Sequence, residues 1–334
     1  MIDEWLESLG PEAREAVTAG DVPEWVDPML ATLVDEAFSD PDWIYERKLD
    51  GQRVLAFRDG DEVRLLSRNR ESAATAFPEI VEALAAVDLE RFVIDGEVVA
   101  FEGDVTSFQR LQGRIHVADP DEARATGIAV HLYCFDVLHA DGHDVGDVPL
   151  RDRKRLLRSM FDWDDPIRFT PHRNAEGEAY LEEACDRGWE GLIAKDATAP
   201  YVHARSRRWQ KFKCVHRQEL VIGGFTDPRG ERIGFGALLV GHHRDGDLVY
   251  AGKVGTGFDE ETLADLGARL ADLEVDASPF DVGGPPDDAH WIRPELVAEI
   301  GFTEWTSAGR LRHPRFLGLR TDKDPADVVR ERPA

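Results

Sequence analysis

Lysine is scarce in this chain, with seven residues against 33 arginines, and four of the seven stand in patterned places. Lys48 opens Lys48-Leu49-Asp50-Gly51-Gln52-Arg53, directly after the strand-like Trp43-Ile44-Tyr45-Glu46. Lys195 closes Glu190-Gly191-Leu192-Ile193-Ala194-Lys195, and Lys211 and Lys213 alternate in Trp209-Gln210-Lys211-Phe212-Lys213. On a strand, the period of two puts that last pair of amines on one face. An amine can act as a covalent nucleophile when neighbouring cations lower its pKa, and Lys211, Lys213 and Arg53 would supply such a field around Lys48. Cations also stabilise a phosphoryl group during displacement, while Glu97 and Glu190 could hold the divalent metal that neutralises the leaving oxygens. That is equipment for nucleotidyl transfer. Lys-x-Asp-Gly by itself fits a solvated lysine ahead of a hairpin turn, because four-residue patterns are common by chance.

The ordered set outweighs that reading. Between the lysines lie Ser67-Arg68-Asn69, Asp95-Gly96-Glu97 and Tyr133-Cys134-Phe135-Asp136, and near the end comes Arg315-Phe316-Leu317-Gly318-Leu319-Arg320-Thr321-Asp322-Lys323. With these segments in this order, the chain resembles the covalent nucleotidyltransferases, and specifically the ATP-dependent DNA ligases, from about Trp43 to Lys323. Gly318 to Lys323, Val254-Gly255-Thr256-Gly257-Phe258 and Thr303-Glu304-Trp305-Thr306 look most like the ligase domain of bacterial and archaeal end-joining ligases. Two departures bear on the pathway and not on the chemistry. Leu317 sits where a basic residue is frequent, and with 334 residues the polymerase, phosphoesterase or large helical DNA-binding modules that accompany some ligases are not expected in this sequence.

The resemblance implies roles. Lys48 would attack the α-phosphate of ATP and become adenylylated. The AMP would pass to a 5′-phosphate at a DNA break, and the 3′-hydroxyl would displace it. Lys211 and Lys213 would contact the α-phosphate, Glu97 and Glu190 would serve ribose and metal (Mg²⁺ or Mn²⁺), and Phe135 would stack on adenine. Glu46 and Leu49 would help form the nucleotide pocket. Arg53 and Arg68 would bind phosphate or ribose through their guanidinium forks, and Arg320 and Lys323 would orient pyrophosphate. Rival readings within the superfamily are an RNA ligase and a guanylyltransferase. From another class comes a catalytically inactive scaffold that binds nucleotide or DNA ends.

These residues need elements to hold them. Strand-like runs at Arg53–Phe57 and Glu62–Leu66 flank the turn Arg58-Asp59-Gly60-Asp61 as a hairpin. Phe92–Phe101 and Ala129–Leu138 read as buried strands, and Phe77–Val87, Leu150–Phe161 and Glu176–Arg187 carry helical periodicity. Residues 1–40 read as a short helical lead-in broken by Pro23 and Pro28. After Lys213 come short glycine-punctuated strands and one helix, Asp259 to Leu273, capped by Asp259. The expected architecture is α+β: an adenylation (nucleotidyltransferase) domain of mixed antiparallel sheets and helices over 1–216, then an all-β OB-fold barrel over 217–334.

Composition sets the remaining bounds. Hydrophobic residues make up 42% and charged residues 32%, too apolar for a disordered chain and too charged for a membrane bundle. No apolar run approaches the roughly 20 residues of a membrane span, and Met1-Ile2-Asp3-Glu4-Trp5 does not resemble a signal peptide, so a soluble, cytoplasmic monomer is expected. The 66 acidic against 40 basic residues, a formal charge of −26, fit a surface kept soluble in concentrated salt, where the Debye length falls to roughly 3 Å at 1 M. Nicked or broken double-stranded DNA is nonetheless the expected partner. It would be held by two local basic segments, Arg205, Arg207, Arg208, Lys211, Lys213 and Arg217, and Arg310, Arg312, Arg315 and Arg320, together with a Ku-like end-binding protein. Cys134, Cys185 and Cys214, odd in number and widely spaced, read as free thiols and not as a disulfide framework.

Overall fold

In the computed structural model, which describes residues 2–34, 36–214, 216–228, 233–286 and 288–331, the chain divides into two units, Met1–Cys214 and Val215–Arg332. The outer limits of the expected domains, residue 1 and residues 332–334, lie outside the described residues. In the first unit the principal strands are β1 (Leu30–Leu33), β2 (Trp43–Arg47), β3 (Gln52–Asp59), β4 (Glu62–Ser67), β5 (Arg91–Val99), β6 (His131–Ala140), β7 (His172–Asn174), β8 (Gly191–Asp196) and β9 (Arg205–Lys213). The main helices are α1 (Pro78–Ala86), α2 (Phe108–Ile115), α3 (Leu150–Met160) and α4 (Gly177–Asp186).

Two sheets result. One runs β6-β5-β3-β4 and extends past β6 through shorter strands; the other runs β7-β2-β8-β9-β1. The run Val54-Leu55-Ala56-Phe57 is apolar at every position because its sheet is covered on both faces. Val54, Ala56, Ile94, Val98 and Leu132 pack with Ile80 and Leu84 of α1 and Leu156 and Leu157 of α3. Leu55, Phe57, Val93 and Leu138 point the other way, against Met29, Tyr201 and Trp209. Each such side chain, fully buried, stabilises the fold by roughly 1.5–3 kcal/mol. The inward face therefore carries apolar residues along most of its length and, by the same alternation, Arg53, Asp95 and Glu97 at one end.

Behind the site, Arg153 of α3 reaches Asp136 of β6 with two parallel hydrogen bonds, 2.8 and 2.9 Å, and both side chains are fully buried. Removing one member of such a pair strands the other charge without solvent. We expect Asp136→Ala to lower the unfolding free energy by about 3–5 kcal/mol in denaturant titrations, without a comparable loss for surface ion pairs such as Arg269–Asp265.

The second unit holds β10 (His216–Phe225), β11 (Leu238–Arg244), β12 (Asp247–Val254), α5 (Glu260–Asp272), β13 (His290–Phe302) and β14 (Arg315–Leu319). Its main antiparallel sheet runs β12-β11-β10-β13, with β14 also paired to β13. Register shifts at Ile222/Gly224, Val240/Gly241 and Glu299/Ile300 interrupt the ladders, the kind of irregularity that bends strands and curls a sheet. Leu263, Leu266 and Leu270 of α5 pack into the apolar interior with Ile222, Val240 and Ile300. This half-barrel with one helix is consistent with an OB-fold, and the unit as a whole fits the α+β expectation.

Two expectations need correction. The lead-in is helical at Ile2–Ser8 and Pro11–Glu15 only; Leu30–Leu33 is a strand paired in parallel with β9. An edge with unpaired backbone groups recruits this short apolar segment once Pro28 has ended any helix. Cys185 and Cys214 form a disulfide, with Cα atoms 5.2 Å apart, and only Cys134 remains a buried thiol. Among the described residues no helix is long and apolar enough to cross a membrane.

Candidate active site

The register of the second sheet explains why the lysine motifs belong together. Glu46 of β2 lies opposite Ile193 of β8, and Ile193 opposite Lys211 of β9; Gly191 lies opposite Lys213, and Lys195 opposite Trp209. The Lys48 amide donates to the Gly191 carbonyl at 2.9 Å, continuing the ladder by one step. Residues two apart share a face, so Glu46, Lys48, Ile193, Lys195, Trp209, Lys211 and Lys213 all project to one side. Tyr45, Leu192, Ala194 and Phe212 form a small core on the other. The motif glycines are steric necessities. A Cβ on Gly51 would stand 2.1 Å from the Val98 carbonyl oxygen. One on Gly191, whose φ is +145°, would stand 1.9 Å from that of Phe212. Asp50 is tied down as well, its amide donating to Thr106 Oγ1 at 3.1 Å and its carboxylate accepting from the Phe108 amide at 3.4 Å at the start of α2.

The two sheets meet at a cavity lined by six of the expected residues, Glu46, Lys48, Leu49, Arg53, Glu97 and Phe135, and also by Ala31, Arg47, Thr170, Ile193, Lys195 and Trp209. The structure thus brings together half of the residues expected at the nucleotide and metal, within a lining drawn from two sheets and a span of some 180 residues. Lys211 and Lys213 flank it on the same face of β9, half-buried. Arg68 does not line it: it is exposed in the turn directly after Ser67. Arg320 and Lys323 belong to the second unit. There Arg320 grips Asp322 through two hydrogen bonds of 2.8 Å, and Arg320 and Lys323 each approach Glu219 at 3.5 Å.

Electrostatics overturn one expectation. Lys48 Nζ donates to Glu190 Oε2 at 2.5 Å. Burial alone would pull the lysine pKa down, but the Glu190 carboxylate, with Asp50 and Glu97 behind it, outweighs burial and holds the amine above its ordinary range. Neighbouring cations do not set the resting charge; the touching carboxylate does. Lys48 rests as an ammonium. Glu97, nearby, is pushed up to about 7 by burial, against the pull of Lys48 and then Arg53, so it exchanges its proton near neutrality. Arg53 is locked by Asp95 through two contacts, 2.9 and 2.5 Å, and donates to the Met29 carbonyl at 2.6 Å. That rigid fork sits 5.5 Å from the ring centres of both Phe135 and Trp209.

The floor of the cavity carries a second ionic cluster that the motifs did not reveal. Glu46 is fully buried between two lysine amines, Lys154 Nζ at 2.6 Å and Lys195 Nζ at 2.7 Å, and burial pulls the second of them below the ordinary lysine value. Burial would raise the Glu46 pKa, but Lys154 and then Lys195 win, and the carboxyl stays below its ordinary value. The available signal was lysine scarcity, which marks Lys154 as one of only seven.

A metal can be tested against the donors present. Among the described residues no three His, Cys, Asp or Glu side chains gather as a metal cage. Glu97 and Glu190 both act electrostatically on Lys48 and offer hard oxygen donors of the kind that suits a partly hydrated Mg²⁺ completed by phosphate oxygens and water.

Comparison with known proteins agrees with this geometry. Residues 28–213 match the family model described as ATP dependent DNA ligase domain, and residues 231–323 match that described as ATP dependent DNA ligase C terminal region. The chain is 37% identical over 333 residues to the multifunctional non-homologous end joining protein LigD of Pseudomonas aeruginosa, covering 96% of this chain and 39% of that protein. It is 34% identical over 320 residues to a probable DNA ligase of Sorangium cellulosum, covering 91% and 58%. The chain therefore spans less than two thirds of the length of each of these relatives. A solved structure of mycobacterial DNA ligase D complexed with ATP and MES superposes with a TM-score of 0.67 at 35% identity, over 92% of this chain and 98% of that one.

Proposed function

The chain belongs to the ATP-dependent DNA ligases, and from that premise we propose that Lys48 is its nucleophile and that the cavity around it is the adenylation site. The observation that carries this reading is that Lys48, which donates to Glu190, shares one cavity with Glu97, Arg53 and Phe135. Lys48 Nζ gives up a proton and bonds to the α-phosphorus of ATP as the bond to pyrophosphate breaks. The oxygen of a DNA 5′-phosphate then takes the AMP, the phosphorus–nitrogen bond breaks, and the 3′-hydroxyl displaces AMP to close the strand. Glu97 and Glu190 would hold Mg²⁺ or Mn²⁺, which supplies charge neutralisation at the departing phosphate oxygens. Lys211 and Lys213 add fixed positive charge on the same face, and Phe135 offers its ring to adenine. Arg68, exposed, is assigned to DNA and not to the nucleotide, and Arg320 and Lys323 to pyrophosphate.

The adenylation domain would span 1–216 and the OB-fold 217–334. The physiological setting we propose is break repair or end joining in the cytoplasm, by a monomer acting with a Ku-like end-binding partner, in a cell of high internal salt. Similarity to LigD and the −26 charge support it. Comparing ATP with GTP, and a DNA nick with an RNA nick, separates this reading from an RNA ligase or a guanylyltransferase. A scaffold would bind without forming any adduct.

DNA must find positive charge on a strongly acidic chain. Arg205, Arg207 and Arg208 are exposed on β9, which also carries Lys211 and Lys213. Changing all three to glutamine is expected to weaken binding of nicked DNA by about tenfold or more at moderate salt and to flatten its salt dependence, as loss of phosphate contacts does. Unchanged binding and sealing by that variant would place the DNA elsewhere.

A further inference from the structure

Two cysteines bracket the carboxylate that holds Lys48. Cys185 stands in the last turn of α4 and is exposed, while Cys214 directly follows β9 and is half-buried. Their disulfide closes a loop with a sequence separation of 29, and Glu190, Lys195, Lys211 and Lys213 all lie inside that loop. From Cys185 to Glu190 the chain makes one tight turn. Gly188, at φ +71°, donates its amide to the Cys185 carbonyl at 3.0 Å, and Trp189 donates to the Ala184 carbonyl at 2.9 Å. From the other side the Cys214 amide donates to the Glu190 carbonyl at 3.0 Å, one step past the Gly191–Lys213 pair. The disulfide therefore ties together both backbone approaches to Glu190, whose carboxylate meets Lys48 Nζ at 2.5 Å. Cys134, the third cysteine, is buried in the other sheet and remains a thiol.

We propose that Cys185–Cys214 is a redox site at which a dithiol reductant slows adenylylation, by releasing the backbone that presents Glu190 to Lys48. The proposal rests on the reading of Lys48 as the nucleophile. Exposed disulfides are the ones that other thiols reach and reduce. A thiolate of the dithiol attacks Cys185 Sγ, the bond between the two cysteines breaks, and Cys214 leaves as a thiolate that takes up a proton. The second thiol of the reductant loses its proton and attacks the reductant sulfur of the mixed disulfide, freeing Cys185 as a thiolate that is protonated in turn. The reductant ends as a disulfide, and two electrons have passed to the protein. Exchange with an oxidised thiol in the opposite direction restores the bond. The hydrogen bonds on either side of Glu190 do not depend on the disulfide, so its carboxylate stays near Lys48 after reduction but over a wider range of positions. About 1 Å of misplacement at a reacting group is enough to cost up to about 10²-fold in rate, and a partial release costs less.

The test brings the full chain to two states, with excess oxidised glutathione and with excess dithiothreitol, removes the reagent and assays both under nitrogen. Alkylation after denaturation, counted by mass, is expected to label Cys134 alone in the first state and all three cysteines in the second. Initial rates of AMP transfer from ATP to the enzyme are expected to be about fivefold to tenfold lower in the reduced state. The double variant Cys185→Ser with Cys214→Ser, its folding checked by thermal melts, is expected to show the lower rate after either treatment. Amide hydrogen exchange over residues 186–191 is expected to quicken on reduction, while exchange in β5 does not change. Equal rates in the two states of the wild type, three labelled cysteines in the oxidised state, or a rate in the double variant that still follows the reagent would overturn the proposal. If neither state acquires AMP while exchange over 186–191 follows the thiol count, the adenylation reading fails and the redox clamp on Glu190 stands.

Discussion

Lys48→Ala is expected to abolish sealing of a nicked duplex driven by ATP, a loss of about 10⁴-fold or more, because the amine proposed as nucleophile, which donates to Glu190, is removed. The same variant should still close a nick whose 5′-end already carries AMP, at a reduced rate, since that last displacement uses the 3′-hydroxyl and not the lysine. The two substrates thus separate loss of the nucleophile from loss of the fold. The neighbouring structure gives little reason for collapse. The Gly51 close approach and the Asp50 contacts to Thr106 and Phe108 are unaffected by the change. Sealing of both substrates at wild-type rates would remove Lys48 from the chemistry.

The second large effect concerns Glu190. Its carboxylate keeps Lys48 protonated at rest, above the ordinary lysine value and against the effect of burial. The amine attacks only when it has lost that proton, so adenylylation should rise with pH as Lys48 deprotonates. Glu190→Gln removes the negative charge and leaves the burial. The Lys48 pKa must then fall, and the rising limb of the pH profile moves to lower pH. The expected net result is a loss of about 10²-fold in adenylylation near neutrality, because orientation of the amine and one of the two carboxylates proposed to hold the metal vanish together. Rates measured by single turnover across pH check both parts. A profile that does not move would mean that Glu190 is not the group that sets the charge on Lys48.

How far the sequence reached can be argued from these residues. Short-range alternation identified the shared face of Lys211 and Lys213, and the hairpin after Lys48 appears as β3 and β4. The cavity gathers Glu46, Leu49, Arg53, Glu97 and Phe135 as the motif order suggested. What stayed hidden depends on register between segments far apart in the chain. Glu190 meets Lys48 across 142 residues, so the sign of the lysine's pKa shift was not legible from the cations printed beside it. Lys154 reaches Glu46 from a helix 108 residues on, and Thr170 reaches the cavity from no motif at all. The Cys185–Cys214 disulfide closes only when α4 and the end of β9 are laid side by side by the sheet between them. Leu30–Leu33 shows the same effect in secondary structure, where an open strand edge overrides a local helical pattern.

The most direct measurement is incubation of the purified chain, first stripped of any bound AMP with excess pyrophosphate, with α-labelled ATP and Mg²⁺ at high salt. Denaturing electrophoresis and peptide mass mapping then follow. One AMP per chain, acid-labile and mapped to the peptide containing Lys48, is the expected result. A folded protein that acquires no label, or acquires it on another residue, would contradict the assignment of Lys48 as the nucleophile.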